Sequence, residues 1–236
     1  MNREQFEKEL EKLGIELTGN ELIMFNTYCD FLKEYNSHTN LTAIADDEGI
    51  FLKHFYDSIT LTRVINLNKY TSLIDIGTGA GFPGMVLKIL YPNLKLTLLD
   101  SNNKKIKFLQ ELSDKLNIKG IEFYNGRAED YVKNHRETFD IVTARAVSNL
   151  PVLSELCLPL TKVDGYFIAL KGSNEEEIDS AKYAITELGG NIEQIDHFEL
   201  PYDGGTRNII KIKKVKQTNE KYPRRYDKIV KNPLIK

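Results

Sequence analysis

Long apolar runs, metal-ligand spacings and nucleophile motifs are all missing from these 236 residues. No stretch approaches the roughly 20 apolar residues of a membrane-spanning helix. The charged, helically spaced opening MNREQFEKELEKLG is not expected to act as a signal peptide. Cysteine is scarce: Cys29 and Cys157 stand far apart, both in segments of helical pattern. That excludes a disulfide framework and a Cys-based metal site, and leaves two small buried side chains in a reducing compartment. A cytoplasmic protein with no membrane and no metal is therefore expected. There is no Ser-His-Asp elbow, no H-E-x-x-H and no Cys nucleophile signature, which argues against the common hydrolytic chemistries. Internal repeats and low-complexity linkers are absent too.

What is present suits one globular domain, or one domain with a small appendage: 41% of the residues are hydrophobic. The net charge of −2 hides an uneven layout. Residues 1–50 carry 11 acids against 4 bases, whereas residues 211–236 carry 10 bases against 2 acids. Such asymmetry suits a polyanionic partner, and it suits a solvated tail equally well.

The first 65 residues read as a helical lead-in. Phe6, Leu10 and Leu13 are helically spaced, and Thr18 with Glu21 makes a capping-box pattern. The following helix carries Met24, Tyr28, Phe31 and Tyr35 on one face. Turn formers in YNSHTNLTAI end it, and Asp46 is placed to cap a third helix reaching about Val64. From Thr71 onward strands and helices alternate: SLIDI, LKLTLLD, IEFYN, FDIVTAR and GYFIALKG are strands, with helical patterns between them. This is the signature of a parallel sheet covered on both faces. The last two strands, NIEQIDHFEL and NIIKIKKV, are joined by PYDGGT and must be antiparallel, because parallel strands need a long crossover. The expected fold is α/β: a Rossmann-like sheet of seven strands, five parallel plus a C-terminal antiparallel hairpin. The expected division is a lead-in over 1–65, a sheet domain over 66–215 and a basic tail over 216–236.

In open α/β sheets, ligands bind at the carboxyl ends of the strands, where strand order reverses. The loop after the first strand is Gly77-Thr78-Gly79-Ala80-Gly81, and its alternate glycines leave no Cβ between backbone and ligand. Asp100 closes the second strand, 23 positions after Gly77, where a carboxylate can accept both hydroxyls of a ribose. Together they indicate an adenosine-containing ligand. Although Gly79 to Gly84 matches G-x-G-x-x-G literally, counting from Gly77 places Phe82 at the third glycine, which argues against a dinucleotide. Glu129, after the third strand, suits an adenine amino group; it equally suits the acidic first turn of a helix.

The ordered set NSHTNLT, HFYDS, DIGTGAGFPG, LLDSNNKKIKFL, GRAE, DIVTARAV, LKG and YPRR resembles the bacterial small-subunit ribosomal RNA methyltransferase G family, also called glucose-inhibited division protein B. The resemblance runs from about Asn36 to Arg224. It implies a class I methyltransferase fold, S-adenosylmethionine as cofactor, and 7-methylguanosine in 16S rRNA as product. By position it implies that Gly77 and Phe82 line the cofactor site, that Ala128 and Glu129 hold the adenine, and that Arg145 lies between cofactor and substrate.

Position 7 of guanine has an exposed lone pair and no proton to lose, so such a reaction needs no general base. Catalysis then reduces to positioning and electrostatics. Arg127, Arg145, Lys171 and Arg207 fall at strand ends or in the hairpin. Arg145 is expected to contact guanine O6 or a phosphate, leaving position 7 free, and Lys171 and Arg207 to hold phosphates. Arg127 is counted with them on the RNA side. Tyr222, Arg224 and Arg225 mix an aromatic with bases, as suits unpaired RNA. His54 and Asp57, three apart on the third helix, are read as a structural anchor in preference to a catalytic pair. The cofactor set is thus Gly77, Gly79, Gly81, Phe82, Asp100, Ala128, Glu129 and Arg145. The expected partner is the small ribosomal subunit or its RNA, and a monomer is expected. Two other functions remain open at this point: a methyltransferase acting on a different substrate, and a non-catalytic RNA- or ribosome-binding module that keeps a nucleotide pocket.

Overall fold

A computed structural model describes residues 1–145, 148–172 and 175–236. Ala146 and Val147, the end of the DIVTARAV motif, lie outside the described residues. The lead-in begins with α1 (Arg3–Lys12), started by a capping box between Asn2 and Gln5. The Thr18–Glu21 box starts α2 (Gly19–Thr39) as its spacing requires. Asp46 caps the next segment by accepting from the Gly49 N–H.

That third segment is a composite, not the single regular helix its apolar spacing predicts. It runs through α3 (Asp47–Gly49), a π-helical stretch (Ile50–Tyr56), α4 (Asp57–Ile59) and a 3₁₀ turn (Thr60–Arg63). The Asp57 N–H donates to the Leu52 and His54 carbonyls and skips that of Lys53, its regular α-helical acceptor. The released Lys53 oxygen takes an N–H from Arg145 at 3.0 Å.

The alternating region follows as β1 (Ser72–Ile76), α5 (Gly84–Leu90), β2 (Lys95–Asp100), α6 (Asn103–Lys115), β3 (Ile121–Asn125), α7 (Ala128–His135) and β4 (Phe139–Arg145). It continues as α8 (Leu150–Cys157), β5 (Thr161–Gly172), α9 (Glu175–Glu187), β6 (Gly190–Leu200) and β7 (Gly205–Lys214). The described strands form one seven-stranded sheet of order β3-β2-β1-β4-β5-β7-β6. β1 to β5 pair in parallel, and β7 inserts antiparallel between β5 and β6. The order reverses at β1, which lies between β2 and β4, and this opens the cleft at the strand ends.

Strand residues alternate between two cores, as period-2 geometry demands. Leu73, Leu98, Ile141 and Ile168 face one side; Ile74, Leu99, Val142 and Phe167 face the other. The lead-in supplies much of the first core. Phe6 packs edge-on against Phe25 and Phe51, with ring centroids 5.3 and 5.2 Å away. Phe25, Tyr28 and Phe55 join the same cluster as Met85 and Phe108.

The chain after β7, read from the sequence as a basic tail, packs on the second core. Tyr222 and Ile229, the latter on a final helix α10 (Tyr226–Lys231), are buried there. Lys214 is fully buried and paired at 3.0 Å with Glu137. Arg224 donates through its backbone N–H, Nε and Nη2 to Glu155, a carboxylate with 0% exposure on α8. Removing one partner of such a pair leaves a buried charge uncompensated, at a cost of about 3–5 kcal/mol. The positive charge counted in the sequence is therefore partly spent on fastening the chain.

Candidate active site

The cleft at the carboxyl ends of β1 to β4 holds about 430 Å³, a volume suited to a nucleoside-sized ligand. Its floor is the loop after β1. The Gly77 and Thr78 N–H groups donate to the Leu99 carbonyl at 2.8 and 3.0 Å, tying the loop to β2. Beneath it, fully buried Asp75 accepts from the Thr78 hydroxyl at 2.7 Å and the Gly84 N–H at 2.8 Å through one oxygen. Its other oxygen has no hydrogen-bond partner among the described residues. Burial pushes this carboxyl up to about 6.

Gly77 and Gly79 adopt φ of 66° and 62° and line the cleft, along with Phe82, Asp100, Ala128, Glu129 and Arg145. A Cβ on Gly79 would meet nothing closer than the Gly77 oxygen at 4.0 Å. Gly81 differs. It does not line the cleft, and a Cβ there would collide with the Tyr28 hydroxyl at 2.5 Å and with Met85 and Leu109 at 2.8 Å. The bareness of Gly81 serves Tyr28, whose hydroxyl donates to the neighbouring Ala80 carbonyl. Gly81, expected in the cofactor set, thus lies where the loop packs on Tyr28.

Asp100 stands at the end of β2 as its position required. One oxygen accepts from the Gly79 N–H at 2.9 Å, and the other accepts from the Asn102 N–H at 2.8 Å. Each keeps a further lone pair for a ribose hydroxyl. Ala128 and Glu129 form the first turn of α7, with the Glu129 carboxyl raised by burial. Beside them, the Arg127 guanidinium lies 4.5 Å from the centroid of the Tyr226 ring.

At the other end Arg145 closes β4. Its Nη1 donates to Lys53 O at 3.0 Å and to Asp57 Oδ2 at 3.1 Å, while Nη2 donates to His54 Nδ1 at 3.2 Å. A guanidinium only donates, so Nδ1 must accept, and the imidazole proton sits on Nε2 facing the Thr42 hydroxyl at 2.8 Å. Nδ1 also lies 3.2 Å from Lys53 O, but a bond there would need an Nδ1 proton that the Arg145 donor excludes. Burial and the Arg145 charge depress His54 to about 3, so it is neutral at physiological pH. The imidazole stacks on Phe82 at 4.3 Å, and the Arg145 guanidinium lies 5.1 Å from the same ring. His54 and Asp57, read from the sequence as an anchor, thus converge on Arg145 from one composite helix.

The expected RNA-contacting residues separate. Arg207 donates to Asp57 Oδ1 at 2.8 Å, and so joins Arg145 on one carboxylate. Lys171 pairs with Glu177 at 2.7 Å and donates to the Ser148 carbonyl at 2.6 Å, which ties β5 to α9. Tyr222 is 5% exposed and donates its hydroxyl to Glu187 at 3.1 Å, so its ring is not presented for stacking. Arg224 is held by Glu155. Arg225 projects outward with its side chain 82% exposed. Sequence reasoning did not single out Thr42, Asp75 or Tyr226. Asp75 could have been noticed as the one charge in an otherwise apolar strand. Tyr226 carried no signal, because its approach to the cleft depends on anchors elsewhere in the chain.

The residues present fit an adenosyl cofactor. The backbone is bare at Gly79, Asp100 has spare acceptor capacity, and Leu99, Ile76 and Leu156 give an apolar wall. Among the described residues no cluster suits a metal ion, and no helix is long and apolar enough to cross a membrane.

Comparison with known proteins agrees with this geometry. The profile of the GidB family, rRNA small subunit methyltransferase G, matches residues 21–210. A ribosomal RNA small subunit methyltransferase G of Bacillus licheniformis is 49% identical over 99% of each chain. One of Staphylococcus carnosus is 47% identical over 100% of each. Among solved structures, a SAM-dependent methyltransferase from Aquifex aeolicus superposes with a TM-score of 0.54 at 17% identity, covering 74% of this chain and 97% of its own. A precorrin-6y C5,15-methyltransferase from Geobacter metallireducens gives 0.53 at 14% identity, over 67% and 87%. The fold is that of the class I methyltransferases, the cofactor of the class is S-adenosylmethionine, and the chain belongs to the rRNA small subunit methyltransferase G family.

Proposed function

We propose that this protein methylates the N7 position of a guanine in 16S ribosomal RNA, using S-adenosylmethionine and no general base. The first part follows the family, whose curated members carry the name ribosomal RNA small subunit methyltransferase G. Gly77, Gly79, Phe82, Asp100, Ala128 and Glu129 are the residues that would hold the cofactor. When bound, it supplies a methyl on a sulfonium, which the N7 lone pair can take up without a proton leaving the base.

The observation that carries the reading is the commitment of His54. It is the imidazole lining the cleft, and both its nitrogens are engaged, Nδ1 by Arg145 and Nε2 by Thr42. A basic residue held in this way does not collect protons. It orients a cation, and that is what an acceptor with no proton to lose requires. Arg145 meanwhile keeps its Nε–H and one Nη2–H without partners among the described residues. Such donors suit guanine O6 or a phosphate and would leave N7 free.

Nucleoside mass spectrometry of small-subunit RNA tests the proposal. A strain lacking the gene should lose one 7-methylguanosine and regain it when the gene is restored. Persistence of every such modification in the deletion strain would refute the assignment.

A further inference from the structure

We propose that Tyr226, on the C-terminal strap, forms the closing wall of the adenosine end of the cofactor cleft. This rests on the cofactor reading above. Tyr226 lies beyond residue 210, where the family profile stops, and in sequence it belongs to the stretch that resembles a solvated tail. It nevertheless lines the same cleft as Gly79, Asp100 and Glu129. The Arg127 guanidinium stands 4.5 Å from the ring centroid, and Arg127 immediately precedes Ala128 and Glu129.

Two buried anchors flank the ring and determine where it goes. Two residues before it, Arg224 is locked onto Glu155 through three donors. Three residues after it, Ile229 is wholly buried in the second core. Further back, Arg136 donates to the Thr218 and Tyr222 carbonyls, and Tyr222 itself is buried. The segment is a built strap, and the ring it delivers is only half-buried. Tyr226 packs partly against the second core, and its hydroxyl has no hydrogen-bond partner among the described residues. An aromatic ring with an arginine against it, at the end of the cleft where α7 begins, offers a π-face to a purine. Such stacking needs a π-face and no particular hydrogen bond.

The test is titration calorimetry with S-adenosylhomocysteine and with 5′-methylthioadenosine, which keeps the adenosine and lacks the amino acid. Tyr226→Ala should bind both about tenfold more weakly, the loss expected when one base–aromatic stack is removed. Tyr226→Phe should bind both as the unaltered protein does. Tyr226→Leu, which keeps apolar bulk without a π-face, should retain the thermal melt and still lose affinity; it decides the matter should the alanine variant fold poorly. Unchanged affinity in the alanine and leucine variants overturns the proposal. So does a loss confined to S-adenosylhomocysteine, which would put the ring at the amino-acid end. If the unaltered protein binds neither compound, the cofactor reading falls first and the proposal falls with it.

Discussion

Asp57 holds two arginines on one carboxylate: Oδ2 accepts from Arg145 at 3.1 Å and Oδ1 from Arg207 at 2.8 Å. The three residues come from the lead-in, the end of β4 and the start of β7, so a single side chain ties three parts of the chain at the mouth of the cleft. The π-helical turn makes the third contact available by releasing the Lys53 carbonyl to Arg145. Such turns are rare and occur often at functional sites.

Arg145→Ala should lower single-turnover methyl transfer by about a hundredfold or more, the scale for losing one pre-oriented donor. Cofactor affinity, measured by calorimetry, should change only a few-fold. Asp57→Ala should produce the same split, with the addition of a stability loss of about 1–3 kcal/mol from two half-buried cations left without their shared counter-charge. Equal losses of turnover and cofactor affinity would reassign Arg145 to the cofactor.

The two loop glycines should answer differently to the same substitution. Gly81→Ala drives a methyl into Tyr28, Met85 and Leu109 at a φ of 98°, and should cost about 2–4 kcal/mol in denaturant melts. Gly79→Ala meets open cleft at a φ of 62°, and should cost only about 1 kcal/mol while weakening S-adenosylhomocysteine binding markedly. Denaturant melts beside calorimetry separate the two roles. Equal stability losses would contradict the structure.

Asp75 should leave a signature in the pH dependence of stability. Its carboxyl is raised from 3.8 to about 6 in the fold, so between those values the folded chain retains a proton that the unfolded chain has released. Its contribution is present in full below about pH 4, is lost as pH rises toward 6, and is flat above. His54, depressed from 6.5 to about 3, acts in the opposite sense and favours the fold as pH rises through the same window. Thermal melts of the unaltered protein alone would therefore show a partial cancellation. The difference between it and Asp75→Asn should isolate the Asp75 term, with the variant gaining relative stability from pH 4 to 6. A difference that does not vary with pH would show that Asp75 is not raised.

Much of this was readable from the chain, for local reasons. Thr18–Glu21 and Asp46 act within one helical turn, so their patterns predict the caps that form. Strands β1 to β4 are short apolar runs between turn formers, and their ends coincide with the expected ones to within a residue. Glycines at 77 and 79 and an acid at 100 lie at strand ends, where topology alone directs them into a cleft. The π-helical turn was not readable, because Ile50–Tyr56 has ordinary helical spacing and its altered bonding depends on an arginine 92 residues away.

The basic residues show where sequence stops. By itself the chain determined the order of elements, the side each strand residue faces and the position of the ligand loop, since these follow from periods of 2 and 3.6 and from turn chemistry acting over a few residues. Which charge meets which was decided only in three dimensions. Arg145 finds Asp57 across 88 residues, Arg224 finds Glu155 across 69, and Arg207 finds Asp57 across 150. Coulomb attraction and burial act on distance in space, which a linear pattern does not encode. Six arginines and lysines therefore looked alike as RNA contacts, and the fold sorted them into two cleft residues, Arg127 and Arg145, structural anchors and an exposed surface.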